Sequence, residues 1–225
     1  MKDVIIAISR EYGSGGREIG RLLAEELSVP LFDKEIVHMA IERSGLDESF
    51  IQKHGESVPS KLLLNFHRLS LNVPNIRVPS GFNSHHVAAY AKPNGGIKTN
   101  EDQLFDTKSA IIKELAGKGG CVIVGRCASW VLQNNPNLLS IFIQGELEDR
   151  VRRSIYTYGN SDKGATEDVK QIDKHRANYY KMHTGQKWGV AQNYDLVINS
   201  SYTGVHGAVN VIKAMVENKR SVYER

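Results

Sequence analysis

Apolar residues along this chain follow two periods in turn. Val4 to Ile8 is a short run rich in β-branched residues, as a strand covered on both faces requires. Gly13-Ser14-Gly15-Gly16 interrupts it. From Arg17 to Leu27, apolar side chains fall at Ile19, Leu22, Leu23 and Leu27, the stripe of an amphipathic helix. Pro30 stops that helix before a second short strand around Leu31-Phe32. Strand, glycine turn, helix, strand predicts a right-handed βαβ unit and a parallel sheet.

The second half repeats this alternation. Ile111, Ile112, Leu115 and Ala116 form a helix face, Gly117 and Gly119-Gly120 end it, and Cys121-Val122-Ile123-Val124 follows as a strand. Leu139 to Ile143 predicts another strand. Leu147, Val151, Ile155 and Tyr158 stripe the next helix, with Arg150, Arg152 and Arg153 off the stripe. Asp195 to Ile198 predicts the last strand, and Ala208, Val211, Ile212 and Met215 the inner face of a closing helix. Strands separated by helices predict a three-layer α/β domain.

One stretch departs from the pattern. About residues 45–104 hold four of the six prolines (Pro59, Pro74, Pro79 and Pro93), Gly95-Gly96 and the pair His85-His86. That is too long for a structureless loop, so the expectation is an insertion with its own short helices, one or two of them between Gln52 and Leu71. Two adjacent imidazoles without Cys or acidic partners make a poor metal site, and a surface loop is the favoured reading of them.

Composition narrows the class without naming a function. The 225 residues are 40% hydrophobic and 24% charged, ordinary globular values. No apolar run approaches the roughly 18 residues of a membrane-spanning helix. The start, Met1 to Ile8, is too short and too quickly polar for a secretory signal. Cys121 and Cys127 suggest no disulfide framework, and a cytoplasmic protein is expected. A net charge of +4 permits anionic partners. A nucleic-acid binder should also show clustered aromatics and a dense basic stripe, which this chain lacks.

The glycine turn carries the sharpest chemistry. A helix that starts just after a sheet strand points free N–H groups and the positive end of its dipole at the turn, and glycines let that backbone wrap a phosphate. Neither named fingerprint fits. G-x-G-x-x-G fails because Gly13-Ser14-Gly15 is followed by Gly16-Arg17-Glu18. The Walker form G-x-x-x-x-G-K-[ST] fails because Arg10 stands at its first Gly, and Gly16 and Arg17 stand where Lys and Ser/Thr belong. A glycine-rich turn with no ligand is the other reading. Gly125-Arg126-Cys127, straight after a buried strand, puts an arginine where α/β sheets bind ligands. Such a fork can grip a phosphate, or it can be a surface ion pair. Ile172 to Lys187 is basic, with Lys174, Arg176, Lys181 and Lys187 against Asp173, then Thr184-Gly185 and Trp188-Gly189. This is a candidate lid over an anionic substrate, although Lys174 and Lys181 read better as a solvated face.

Three blocks together carry a resemblance. Ile8-Ser9-Arg10-Glu11-Tyr12-Gly13-Ser14-Gly15-Gly16-Arg17-Glu18-Ile19-Gly20, Cys121 to Ala128, and Arg176…Tyr179-Tyr180…Thr184-Gly185…Trp188-Gly189 are similar to the cytidylate kinase-like proteins, a branch of the P-loop nucleoside monophosphate kinases. The similarity covers roughly Val4 to Ile41 and Leu104 to the end. It implies a P-loop NTPase-like parallel sheet in one domain over 1–225, with the acceptor-side subdomain at 45–104 and a lid at 156–189. It also implies ATP and Mg²⁺, with the γ-phosphoryl group passing to a nucleoside monophosphate, most simply a CMP-like one. Gly13, Ser14, Gly15, Gly16 and Arg17 would hold the donor phosphates, Arg126 the acceptor's phosphate, and Arg150, Arg153 and Arg176 the charge in transfer. The departures are the absent lysine and metal hydroxyl of the loop, and Cys127 in place of the acid after Gly-Arg. Arg17 is a candidate for the missing charge, and Ser14 or Ser9 for the metal. Asp33 begins the expected acceptor contacts, or it caps the helix at Glu35-Ile36-Val37. A nucleotide-binding regulatory protein on the same fold is the alternative to a kinase.

Overall fold

The computed structural model describes residues 3–45 and 99–223. Most of the expected insertion, including Gln52–Leu71 and His85-His86, therefore lies outside the described residues. Strands β1 (Ile5–Arg10), β2 (Leu31–Phe32), β3 (Cys121–Val124), β4 (Leu138–Gln144) and β5 (Leu196–Asn199) form one parallel sheet in the order β2-β3-β1-β4-β5. The helices are α1 (Gly16–Leu27), α2 (Glu35–Ser44), α3 (Asn100–Gly117), α4 (Ala128–Val131), α5 (Leu147–Tyr156), α6 (Ala165–Thr184) and α7 (Ser200–Tyr223). The start of α3 is fixed by a reciprocal cap between Thr99 and Asp102, so the last residues of the expected insertion already belong to this helix.

The strands are mainly apolar because both faces are covered. Ile6 and Ile8 of β1 join Val122, Val124, Leu139, Ile141 and Ile143 under α1 and α7. Ile5 and Ala7 join Cys121 and Ile123 under α2, α3 and α4, where Tyr179 and Tyr180 of α6 also pack. Alternate residues of one strand thus feed opposite cores, the period-2 geometry of a buried parallel strand. Cys121 and Cys127 are buried free thiols, and burial pushes the Cys121 thiol up to about 12. Among the described residues, no helix is long and apolar enough to cross a membrane.

The topology also sets where chemistry can gather. The chain leaving β1 crosses toward β2, while the chain leaving β3 crosses back over β1 to β4. Their carboxyl ends therefore part around a crevice, the usual ligand position in such sheets.

Two sequence expectations need correction. The inner face of α7 is Ala208, Val209, Ile212 and Val216; Val211 is 43% exposed. The helix also contains a non-helical residue, Gly204 (φ 66, ψ 175), so its first turn is offset from the rest. In α5 the most buried positions are Arg150 and Ser154 rather than the apolar stripe, because Arg150 has acidic partners inside. If the observed face is right, Ile212→Ala should cost about 3 kcal/mol in a urea titration, whereas Val211→Ala should stay within about 0.5 kcal/mol. Equal losses would restore the original face.

Candidate active site at the carboxyl ends of the strands

Asp33 ends the β2 segment and is almost fully buried, with its side chain 8% exposed. Three arginines from three different segments surround its carboxylate. From α1, Arg17 places Nε and Nη2 each 2.6 Å from Oδ2. From the turn after β3, Arg126 brings Nη2 to 3.5 Å from Oδ1 and donates from Nε to the Asp33 carbonyl at 3.4 Å. From the end of β1, Arg10 brings Nη2 to 3.9 Å from Oδ1. Burial alone would raise the Asp33 carboxyl; the charges of Arg17, Arg10 and Arg126 outweigh it and hold the group well below the ordinary carboxylate range. The Lys34 ammonium is pushed below the usual lysine value, by burial first and then by the charge of Arg17. The reading of Asp33 as a helix cap is not what forms. Lys34 occupies the cap position of α2, and three cations hold the carboxylate more strongly than one backbone amide could.

The backbone around Arg126 is unusual. Gly125, Arg126 and Cys127 follow one another with φ of 78, 61 and 57. Two successive non-glycine residues in the left-handed region are costly, of order 1–3 kcal/mol each, and persist only where the surroundings impose them. Here the turn swings the Arg126 side chain from the end of β3 toward Asp33.

The glycine loop is braced by a second set of arginines. Arg150 Nη1 bonds Asp173 Oδ2 and also donates to the Tyr12 carbonyl at 3.3 Å, while Nε lies 3.4 Å from Glu11 Oε2. Asp173 Oδ1 accepts the Tyr12 N–H at 2.7 Å, and Glu11 Oε2 accepts the Gly145 N–H at 3.0 Å. Burial raises the Glu11 carboxyl, against the Gly145 amide and the charge of Arg150. Arg153 Nη1 donates to the Gly13 carbonyl at 3.3 Å and lies against Gly15. Arg176 Nη1 donates to the Arg10 carbonyl at 3.0 Å, and its guanidinium sits 5.6 Å from the centre of the Tyr12 ring. Tyr12 packs on Val169 and Ile172, which ties α6 to the loop. Gly15 caps α1 in the left-handed region (φ 78) with no side-chain cap, so the first turn of the helix faces the loop with backbone amides.

The loop glycines, the five arginines and Asp33 singled out from the sequence gather at the carboxyl ends of the strands. Gly13, Ser14, Gly15 and Gly16 form the loop; Arg150, Arg153 and Arg176 brace it; Arg17, Arg126 and Asp33 form the neighbouring knot. Arg17 places its fork on Asp33. Lys174 and Lys181 are exposed, as the solvated-face reading held. Sequence reasoning missed Arg10, Glu11, Tyr12 and Asp173 as site residues. The signal for Arg10 was a charged residue ending a strand buried along its whole length.

Both hydroxyls considered for Mg²⁺ have protein partners. The Ser14 hydroxyl donates to the Glu11 carbonyl at 2.8 Å, and Ser9 Oγ lies 3.5 Å from Ser129 Oγ. The described residues contain no group of three His, Cys, Asp or Glu that could hold a metal ion. With Asp33 surrounded by arginines, these residues do not fit a protein-held Mg²⁺.

A profile of the cytidylate kinase-like family matches residues 5–202. The cytidylate kinase of Pyrobaculum aerophilum is 24% identical over 209 residues, covering 92% of this chain and 90% of that protein. Among solved structures, an uncharacterised protein from Eubacterium ventriosum is 25% identical with a TM-score of 0.64, over 95% of this chain and 98% of that one. Shikimate kinase from Bacteroides thetaiotaomicron shares the fold at 14% identity and a TM-score of 0.50, over 95% of this chain and 98% of its own.

Asp33→Asn should lower stability at pH 7 by about 3 kcal/mol, the scale of breaking a buried ion network. Because the folded-state value is depressed, the Asp33 contribution is complete above the ordinary carboxylate pKa of about 3.9 and fades as pH falls below it. The gap between wild type and variant should therefore narrow from pH 5 toward pH 2 in urea titrations at stepped pH. A gap that stays constant would mean the carboxylate charge is not what binds the knot together.

Proposed function

This chain belongs to the cytidylate kinase-like family and is a kinase-type phosphotransferase, and we propose that it moves the γ-phosphoryl group of ATP to a nucleoside monophosphate, with a CMP-like acceptor first in line. One observation carries the reading: six arginines from five segments (Arg10, Arg17, Arg126, Arg150 with Arg153, and Arg176) meet at one glycine loop and the crevice beside it. Phosphoryl transfer needs little from a protein beyond positioning and cationic charge, and this arrangement provides both.

The donor phosphates lie on Gly13 to Arg17, where loop and helix amides face them. Mg²⁺ enters as part of the substrate, carried on the nucleotide phosphates. Arg126 grips the acceptor's phosphate, beside Asp33. An oxygen of that phosphate attacks the γ-phosphorus; the bond from the γ-phosphorus to the β–γ bridging oxygen breaks, and ADP leaves with the electron pair. Arg153 and Arg176 act on the charge in flight. Arg150, with Asp173 and Glu11 already on it, serves as the brace that fixes the loop. The region 156–189 acts as the lid, with α6 anchored at its base through Tyr12.

A regulatory nucleotide binder is the second reading, favoured by Gly16 and Arg17 in place of the loop lysine and hydroxyl. The two separate cleanly. Millimolar MgATP should raise the melting temperature under both. Under the kinase reading, a coupled ADP-release assay over CMP, dCMP, UMP, AMP and GMP also shows turnover with at least one acceptor, CMP or dCMP foremost. A melting shift with no acceptor turned over would select the regulatory reading. Arg126→Ala should raise the acceptor KM by roughly 10- to 100-fold, the effect of one lost charged hydrogen bond, with ATP affinity nearly unchanged. Collapse of ATP affinity instead would place Arg126 on the donor side.

A further inference from the structure

Arg10 and Gly16 occupy each other's chemical roles. In the Walker pattern, glycine stands at the first position of the loop and lysine at the start of the helix; here the same two positions hold arginine and glycine. The structure shows that the two changes are one. A Cβ placed on Gly16 would stand 2.6 Å from Arg10 Cβ and 3.0 Å from Arg10 Cγ, closer than real side chains approach, with Ile143 Cβ at 3.6 Å beyond. The stem of Arg10 fills the space through which a side chain at position 16 would leave the helix. An arginine at 10 therefore excludes a lysine at 16.

The far end of Arg10 reaches the crevice. Its guanidinium lies over Gly125, with Cζ 2.9 Å from where a Cβ there would be. Gly125 is held to glycine by its φ of 78, and the guanidinium uses the space its missing side chain leaves. Nη2 is 3.9 Å from Asp33 Oδ1, and the Arg10 carbonyl is fixed by Arg176. The side chain is 10% exposed and stands between the glycine loop and the Arg126 turn. We infer that Arg10 supplies, from the end of β1, the cation for the transferring phosphate that a lysine at the helix start supplies in the Walker arrangement, and that Gly16 is glycine because Arg10 is there. In catalysis this rests on the kinase reading, while the swap itself and the anion site are testable without turnover.

The test uses four variants of the full chain: Arg10→Gly, Arg10→Met, Gly16→Lys and the double Arg10→Gly/Gly16→Lys. Calorimetry with inorganic pyrophosphate reads the anion site and thermal melting reads the steric exclusion. Arg10→Met keeps the stem and removes the charge; it should weaken pyrophosphate by about 10- to 100-fold. Gly16→Lys should melt below wild type, and the double variant above Gly16→Lys, because removing the Arg10 stem opens the space for the lysine. The double variant should also bind pyrophosphate at least 10-fold more tightly than Arg10→Gly. The inference is overturned if Arg10→Met binds pyrophosphate as wild type does, if wild type binds none, or if the double variant improves on neither single variant. Wild-type protein that turns over no acceptor while the swap behaves as stated would defeat the kinase reading alone.

Discussion

Arginines do not collect at the ends of adjacent strands unless an anion sits among them. At about 4 Å, two unit charges interact by about 4 kcal/mol at an effective dielectric near 20, so like charges gathered there repel strongly. Asp33 offsets that repulsion. With partners at 2.6, 3.5 and 3.9 Å, it neutralises one of three positive charges and leaves an excess of two. That excess matches a phosphate dianion. The same carboxylate therefore lets three guanidinium groups fold together and sets the net charge of the crevice. A phosphate bound as proposed would share Arg17 and Arg126 with this carboxylate, in an exchange of partners.

The loop is governed by a complementary constraint. The carbonyls of Arg10, Tyr12 and Gly13 each accept from an arginine outside the loop. A trans peptide points its C=O and the next N–H in opposite directions. Where the Tyr12 carbonyl turns out to Arg150, the Gly13 amide must turn the other way. An arginine committed to the loop backbone, as Arg150 is, can thus aim the amides that would meet a phosphate. This is why Arg150 is buried and paired with Asp173 and Glu11. A mobile arginine at that position would leave the loop backbone free to turn.

How much of this was legible in the sequence depended on range. The strands and α1 were readable because their signal is local, a run of β-branched residues or a 3.6-residue stripe. The inner face of α7 was ambiguous because Val209 and Val211 both extend a stripe through Ala208 and Ile212; packing against β4 and β5 chooses between them. Arg126, Arg150, Arg153 and Arg176 were found through their place in recognisable blocks. Asp33 looked equally like a cap, since nothing near it in sequence reveals that cations from positions 10 and 126 converge there. Arg10 was passed over for a related reason. At a strand end a charged residue ordinarily marks emergence into solvent, and only the tertiary fold shows this one to be enclosed.

A missing motif residue is therefore weak evidence of a missing function. Phosphoryl transfer requires positive charge at a point in space, and a parallel sheet brings several backbone positions to that point: the end of β1, the turn after β3 and the first turn of α1. Which of them bears the cation is constrained by sterics, since the stems at positions 10 and 16 would occupy one volume. It is constrained also by charge balance, since each added guanidinium needs its share of Asp33. An arginine reaching in from β1 meets both conditions, with a glycine beneath it at 16 and another in front of it at 125. Its planar fork differs from an ammonium in presenting paired donors along a fixed direction. Such a site favours an oxygen pair held in one plane over a single point of charge, so the change from lysine to arginine alters the geometry of recognition while preserving its sign.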